Sequence, residues 1–207
     1  MAENYVYSND WFVSNEPVWN QIITNLKPEK ILEIGSYEGR STCFAIDCAS
    51  QHKDIEVYCV DTWEGGVEHK NQNINMTSVE ERFDSNVNIS IKKSKNKVSM
   101  HKSKGTSDFL LAHLITSVGK NYFDMIYVDG SHQAHDVLMD AVMSFKLLKP
   151  GGVLIFDDYL WRESVNEEAN PLKTPKIAID AFLNIFSQKM HILQAPLAQI
   201  YTVKISD

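Results

Sequence analysis

An α/β fold is predicted, with a doubly wound and mostly parallel sheet of seven strands, from three features of the sequence. These are a glycine-broken strand-to-helix turn at residues 30–42, alternating strand and helix patterns on both sides of it, and acids that end successive strands. The turn reads KILEIGSYEGRST. Ile31, Leu32 and Ile34 form a short buried run, and Gly35 and Gly39 permit positive φ and close approach of the backbone to a ligand. In open sheets of this kind ligands bind beyond the carboxyl ends of the strands, so Glu33 through Ser41 are expected to line a crevice.

The remaining elements follow in chain order. Asn15-Glu16-Pro17 marks a helix start with Asn15 as cap, and Trp19, Ile22, Ile23 and Leu26 supply its apolar stripe up to Pro28. Residues 40–50 form the helix after the turn. Residues 55–60 form a second strand ending at Asp61, and the polar, glycine-containing stretch 64–76 reads as a loop. Thr77-Ser78-Val79-Glu80 has the form of a capping box, with Val79, Phe83, Val87 and Ile91 on one face of the helix behind it. A short third strand spans 98–101, and Ser107-Asp108 cap a helix to about Ser117.

Residues 123–128 form a strong fourth strand ending at Asp129, and Val137, Leu138, Ala141, Val142 and Phe145 form the buried side of the next helix. Lys149-Pro150-Gly151-Gly152 stops that helix. The fifth strand, 153–156, ends at Asp157-Asp158, and Thr174-Pro175 begins a helix carrying Ile177, Ile179, Phe182, Leu183 and Phe186. Two strands near 190–194 and 199–205, joined by a short link, close the sheet with an antiparallel edge.

Composition fits one domain over 1–207, with an N-terminal helical segment (1–28), a core (30–158) and a C-terminal helix with edge strands (159–207). At 207 residues and 43% hydrophobic, the chain can bury a full core without internal repeats. The net charge of −7 offers no basic stripe for nucleic acid, and the run Lys92, Lys93, Lys95 and Lys97 reads as a solvated loop. Cys43, Cys48 and Cys59 are odd in number and form no C-x-x-C pair, so reduced thiols in the cytoplasm are expected. No signal pattern and no apolar span of the roughly 18 residues a membrane requires is evident.

The turn departs from two phosphate-binding patterns. Tyr37 stands where the dinucleotide fingerprint needs a second glycine, and Gly39-Arg40-Ser41 lacks the lysine of a P-loop. Glu33 just before the turn repels an anion and suits a cation, such as the ammonium of an amino-acid-bearing nucleoside. The sequence here resembles the class I S-adenosylmethionine-dependent methyltransferases, and among them the small cation-dependent O-methyltransferases of the catechol O-methyltransferase type. Leu32, Glu33, Ile34, Gly35, Tyr37, Gly39 and Ser41 carry that resemblance. It implies a Rossmann-like methyltransferase fold, S-adenosyl-L-methionine as cofactor, and Glu33, Gly35, Ser36, Tyr37, Gly39 and Ser41 around its methionyl part.

Asp61 ends the second strand where an acid can accept the ribose hydroxyls, with Thr62 beside it. The resemblance places Gly105, Thr106 and Ser107 near the adenine, and Trp63 can pack on the adenosine or at the core edge. Asp129, Asp157 and Asp158 bring three carboxylates to one rim of the sheet, where mutual repulsion calls for a hard divalent cation such as Mg²⁺. The family's metal ligands fall at these positions, and Asp129 also adjoins the cofactor. His132 lies three residues beyond Asp129, at the offset where the family carries a catalytic lysine, and an imidazole suits a general base.

These parts imply methyl transfer to a hydroxyl of a small molecule or sugar with adjacent oxygens. Tyr159 and Trp161 are the candidate stacking residues for that acceptor, and the segments 5–19 and 64–76 and Arg162 are candidates for its selection. Trp11, Phe12 and Trp19 bury themselves either in the domain or in a homo-oligomer contact. The alternatives are a metal-free methyltransferase using His132, a nucleotide-dependent oxidoreductase, and a non-catalytic cofactor-binding protein.

Overall fold

The computed structural model describes residues 4–66, 69, 73–162 and 170–207. Their strands are β1 (Lys30–Ile34), β2 (Ile55–Asp61), β3 (Val98–Lys104), β4 (Phe123–Val128), β5 (Leu148–Phe156), β6 (Met190–Ile192) and β7 (Ile200–Lys204). They form one sheet in the order β3-β2-β1-β4-β5-β7-β6. β1 to β5 pair in parallel, and β7 runs antiparallel to both β5 and β6. The antiparallel strand therefore lies one place inside the edge, and β6 is outermost.

Alternate side chains of the central strands feed two cores, as strand geometry requires. Ile31, Val57, Cys59, Met125, Tyr127 and Ile155 face α1 (Glu16–Leu26), α2 (Arg40–Ala49) and α3 (Met76–Lys93). Leu32, Ile34, Val60, Ile126, Val128, Leu154 and Phe156 face α4 (Ser107–Ser117), α5 (Ala134–Leu147) and α6 (Pro175–Ile185). Val79, Phe83 and Val87 anchor α3 on its core, each full burial contributing roughly 1.5–3 kcal/mol. Phe12 and Trp19 are buried within the domain and Trp11 is exposed.

Four local expectations are corrected. Asn15 does not cap α1; it ends a 3-10 turn, is buried and has helical backbone angles. α3 starts at Met76, where the Asn75 side chain accepts from the Ser78 backbone, so the Thr77 box lies inside the helix. β3 runs to Lys104 because all seven of its residues pair with β2, a contact that its polar side chains conceal. β5 begins at Leu148, and the Pro150-Gly151 stretch is a bulge: Phe123 pairs with Leu148, and Met125 with Val153. The expected 64–76 loop lies partly outside the described residues.

Candidate active site

Strand order reverses between β1 and β4, and the crevice opens there. The parallel ladder continues one step past each strand end: Gly35 N–H donates to Val60 O at 2.8 Å, Asp129 N–H to Ile34 O at 2.8 Å, and Asp157 N–H to Val128 O at 3.0 Å. This extension holds the glycine turn and the acids of β4 and β5 at one rim. Gly35 has φ +83°, and a Cβ there would lie within 2.6 Å of Gly130 Cα and overlap the Asp129 carbonyl. A side chain at this position is therefore excluded.

A cavity of about 550 Å³ occupies the crevice, within the roughly 300–1,000 Å³ of small-molecule sites. Its floor includes Gly35, Ser36, Tyr37, Ser41, Asp61 and Thr62; on the β4 and β5 side stand Asp129, His132, Asp157, Asp158 and Trp161. The structure thus brings together most of the residues singled out in the sequence.

Others are placed elsewhere. Glu33 does not line the cavity. Its buried carboxylate accepts from Ser36 Oγ at 2.9 Å and from the hydroxyls of Ser41 and Thr42, and burial raises its pKa against these hydrogen bonds. It braces the turn from below. Trp63 is buried against Phe83, with Nε1 donating to Tyr37 O at 3.0 Å, so it belongs to the core. Gly39 has φ +77° and faces Phe83 rather than the cavity. Gly105, Thr106 and Ser107 lie outside the cavity lining, although Gly105 N–H donates to Asp61 O at 2.9 Å. Tyr159 turns toward α6, where its hydroxyl donates to Asp180 at 2.8 Å and accepts from Lys176 at 2.8 Å. Trp161 alone of the two expected stacking residues reaches the cavity.

Asp61 has a double task. Its Oδ2 accepts from Ser36 N–H at 2.7 Å and Tyr37 N–H at 2.9 Å, and Oδ1 from Trp63 N–H at 2.7 Å. A carboxylate has about four lone-pair positions, so these bonds leave it little capacity for two ribose hydroxyls at once.

Among the acids, Asp129 and Asp157 share one donor. Tyr127 Oη donates to Asp129 at 3.0 Å and to Asp157, while Gln199 Nε2 donates to Asp157 at 2.9 Å. Burial pushes both carboxyls upward, and the neighbouring carboxylates push further: Asp157 and Asp158 on Asp129, Asp158 on Asp157. Asp158 points elsewhere. Its Oδ2 lies 2.8 Å from His132 Nε2, and the imidazole stacks on Trp161 with ring centroids 3.8 Å apart. Among the described residues no group of three or more His, Cys, Asp and Glu stands ready to hold a metal. Asp129 and Asp157 thus meet at the Tyr127 hydroxyl, while Asp158, at the same rim, pairs with His132.

Four further cavity residues, Tyr7, Asn9, Trp11 and His69, fall within the segments 5–19 and 64–76 expected to select the acceptor. Tyr7 and Asn9 come from the N-terminal segment, which crosses the turn through Ser8 N–H donating to Glu38 at 2.6 Å and a two-way pairing of Val6 with Asn86. His69 stacks on Tyr37 at 5.1 Å, and Trp11 packs on Tyr37 at 5.6 Å. Only the fold brings these rings to one mouth.

Asp140 on α5 is buried, and burial pushes its carboxyl up to about 7 against a hydrogen bond from Ser107. Because this folded pKa lies above the ordinary 3.8, its stabilising effect is complete below about pH 4 and is lost as pH rises through 7. Asp140→Asn is therefore expected to gain stability over the parent as pH rises, by up to about 4 kcal/mol at pH 8. Urea unfolding at pH 5 and pH 8 checks this, and an equal difference at both values would refute it.

The comparisons agree with this geometry. The methyltransferase domain family matches residues 32–159. No curated protein sequence matches the chain. Among solved structures, the O-methyltransferase TomG from Streptomyces achromogenes, involved in tomaymycin synthesis and in complex with S-adenosylmethionine, is similar with a TM-score of 0.66. It is 17% identical, over 98% of this chain and 82% of that one. An O-methyltransferase from Bacillus cereus with S-adenosylhomocysteine gives 0.60 at 16% identity, over 98% and 84%. CalS11, a TDP-rhamnose 3′-O-methyltransferase of calicheamicin biosynthesis, gives 0.58 at 13%, over 94% and 80%. Family match, strand order and the glycine turn at the crevice lead to one conclusion: the chain belongs to the methyltransferase domain family and is a class I S-adenosylmethionine-dependent methyltransferase.

Proposed function

We propose that this enzyme methylates a hydroxyl of a small molecule or sugar bearing a neighbouring oxygen, with His132 as general base. The observation that carries this reading is the His132–Asp158 pair at 2.8 Å, opening on the same cavity as the glycine turn and Asp61. When bound, S-adenosylmethionine supplies an electrophilic methyl group on a sulfonium. Ser36, Tyr37, Ser41, Asp61 and Thr62 line its place at the turn, where Gly35 lets the chain pass close to Asp129. Gly105, Thr106 and Ser107, next to the end of β2, remain the candidates for the adenine end.

Asp158 Oδ2 pairs with His132 Nε2 at 2.8 Å, which fixes the orientation of the ring and stabilises the imidazolium formed when it takes a proton. His132 takes the acceptor's hydroxyl proton while the cavity walls align the oxygen with the methyl group, so the rate gain comes from positioning and proton removal. Asp129 and Asp157 would hold Mg²⁺, which supplies charge to acidify a hydroxyl bound beside it. Trp161 offers an aromatic wall and Arg162 a cation for the acceptor. The TDP-rhamnose activity of CalS11 supports a sugar acceptor. A metal-free version is the second reading, favoured by the pairing of Asp158 with His132 rather than with the other two acids.

Calorimetric titration of S-adenosylmethionine into wild type and Asp61→Asn, with and without Mg²⁺, tests the cofactor. Asn is preferred to Ala because Asp61 also holds three backbone N–H groups. Weaker binding by Asp61→Asn is expected, and no binding by wild type in any condition would overturn the reading. Methyl transfer to vicinal diols and nucleotide sugars in Mg²⁺ and in EDTA then separates the metal-dependent route from the metal-free one.

A further inference from the structure

We propose that Trp161 is a positioning residue for His132: its indole sets the plane of the imidazole that takes the acceptor's proton. This rests on the function proposed above. The two rings stack with centroids 3.8 Å apart and planes 26° from parallel, while Asp158 Oδ2 meets the imidazole edge at Nε2, 2.8 Å away. The ring torsion of a histidine is broad, so one contact at the edge leaves room to turn, and a second contact on the face removes it.

Both contacts come from one short turn after β5. Asp158 takes a left-handed backbone conformation at φ +56°, uncommon outside glycine but better tolerated by aspartate than by most residues. Its N–H donates to Asp157 Oδ1 at 2.7 Å, and Trp161 N–H donates to Asp158 O at 2.9 Å, which closes the chain over residues 158–161. The carboxylate at the start of the turn and the indole at its end therefore reach the same imidazole. Backbone held in a sparsely populated conformation collects where a site is kept in one geometry.

The turn is itself anchored. Tyr159 N–H donates to Ala198 O at 3.2 Å, just before β7, and the Tyr159 hydroxyl lies 2.8 Å from both Asp180 and Lys176 of α6. On the other side, Ser131 Oγ donates to Asp136 at 2.9 Å and accepts from Gln133 N–H at 3.1 Å, so the neighbours of His132 are held to the start of α5. These anchors do not line the cavity, whereas His132 and Trp161 do, and the stack joins the two side chains. A wall for the acceptor and a support for the base are separate roles of one indole. A misplaced base costs rate rather than affinity, because the proton moves only in the transition state.

The test has a spectroscopic arm and a kinetic arm. In protein labelled at histidine, the ring protons of His132, assigned by their loss in His132→Gln, should lie upfield of those of an exposed imidazole because they sit over the indole. Trp161→Phe should keep much of that displacement and Trp161→Leu should remove it. With catechol and TDP-rhamnose as probe acceptors, Trp161→Leu should lower kcat about 10- to 100-fold at unchanged acceptor KM, and Trp161→Phe should restore most of the rate. On the His132→Gln background Trp161→Leu should cost nothing further, since it acts through the imidazole. Unchanged S-adenosylhomocysteine binding in Trp161→Leu reports an intact fold. A raised acceptor KM at parental kcat, a full loss repeated on the His132→Gln background, or a His132 spectrum that Trp161→Leu leaves unmoved would each overturn the proposal. Full kcat in His132→Gln with the upfield shift present in wild type would instead overturn His132 as the base, and the positioning role with it, while leaving the stack in place.

Discussion

Gly35→Ala is expected to lower stability by about 3 kcal/mol or more and to abolish measurable cofactor binding. Two effects add. At φ +83° an L side chain is strained by roughly 1–2 kcal/mol. The new methyl group also meets backbone: the Asp129 carbonyl and Gly130 Cα, which cannot rotate away as a flexible side chain would. Relief requires β1 and β4 to part at their carboxyl ends, and the hydrogen bond from Asp129 N–H to Ile34 O resists that movement. Thermal unfolding and calorimetry with S-adenosylhomocysteine check both parts. A variant with the parent's melting temperature and affinity would show that the turn has more room than its geometry allows.

His132→Gln is expected to reduce kcat by about 10²- to 10⁴-fold while leaving cofactor affinity unchanged. Glutamine keeps a hydrogen bond to Asp158 within reach but cannot accept the proton. Because the base acts in its neutral form, wild-type activity should fall as acid protonates the imidazole, and that acidic limb should vanish in the variant. Asp158→Asn should give a smaller loss in the same direction, since it weakens the hold on the ring's orientation without removing the ring. An unaltered pH profile in His132→Gln would move the base to another group, with Asp129 the next candidate at the rim.

The elements with strong internal periodicity were legible in advance. β1, β2 and β4 are apolar runs between turn residues, and the faces of α3 and α5 repeat at helical spacing. The parts that were missed share a cause. β3 is a polar edge strand whose identity comes from pairing with β2, and the β5 bulge is set by its register against β4. Asn15 resembles a cap until the preceding 3-10 turn continues directly into α1.

The same division runs through the site. The strand-turn-helix that carries Gly35, the acids at the ends of β2, β4 and β5, and the nearness of His132 to Asp129 are legible in the residue order, because they follow from local spacing. How each side chain is used depends on the folded packing: Glu33 is a buried brace, Tyr159 sits on α6, Asp158 on His132, and Tyr7, Asn9 and Arg40 share one wall. The physical reason is that a polar group's role depends on which donors, acceptors and charges surround it after burial. For Tyr159, Asp158 and Arg40 the partners lie more than twenty residues away, where no local pattern records them, and for Glu33 burial selects the nearby hydroxyls.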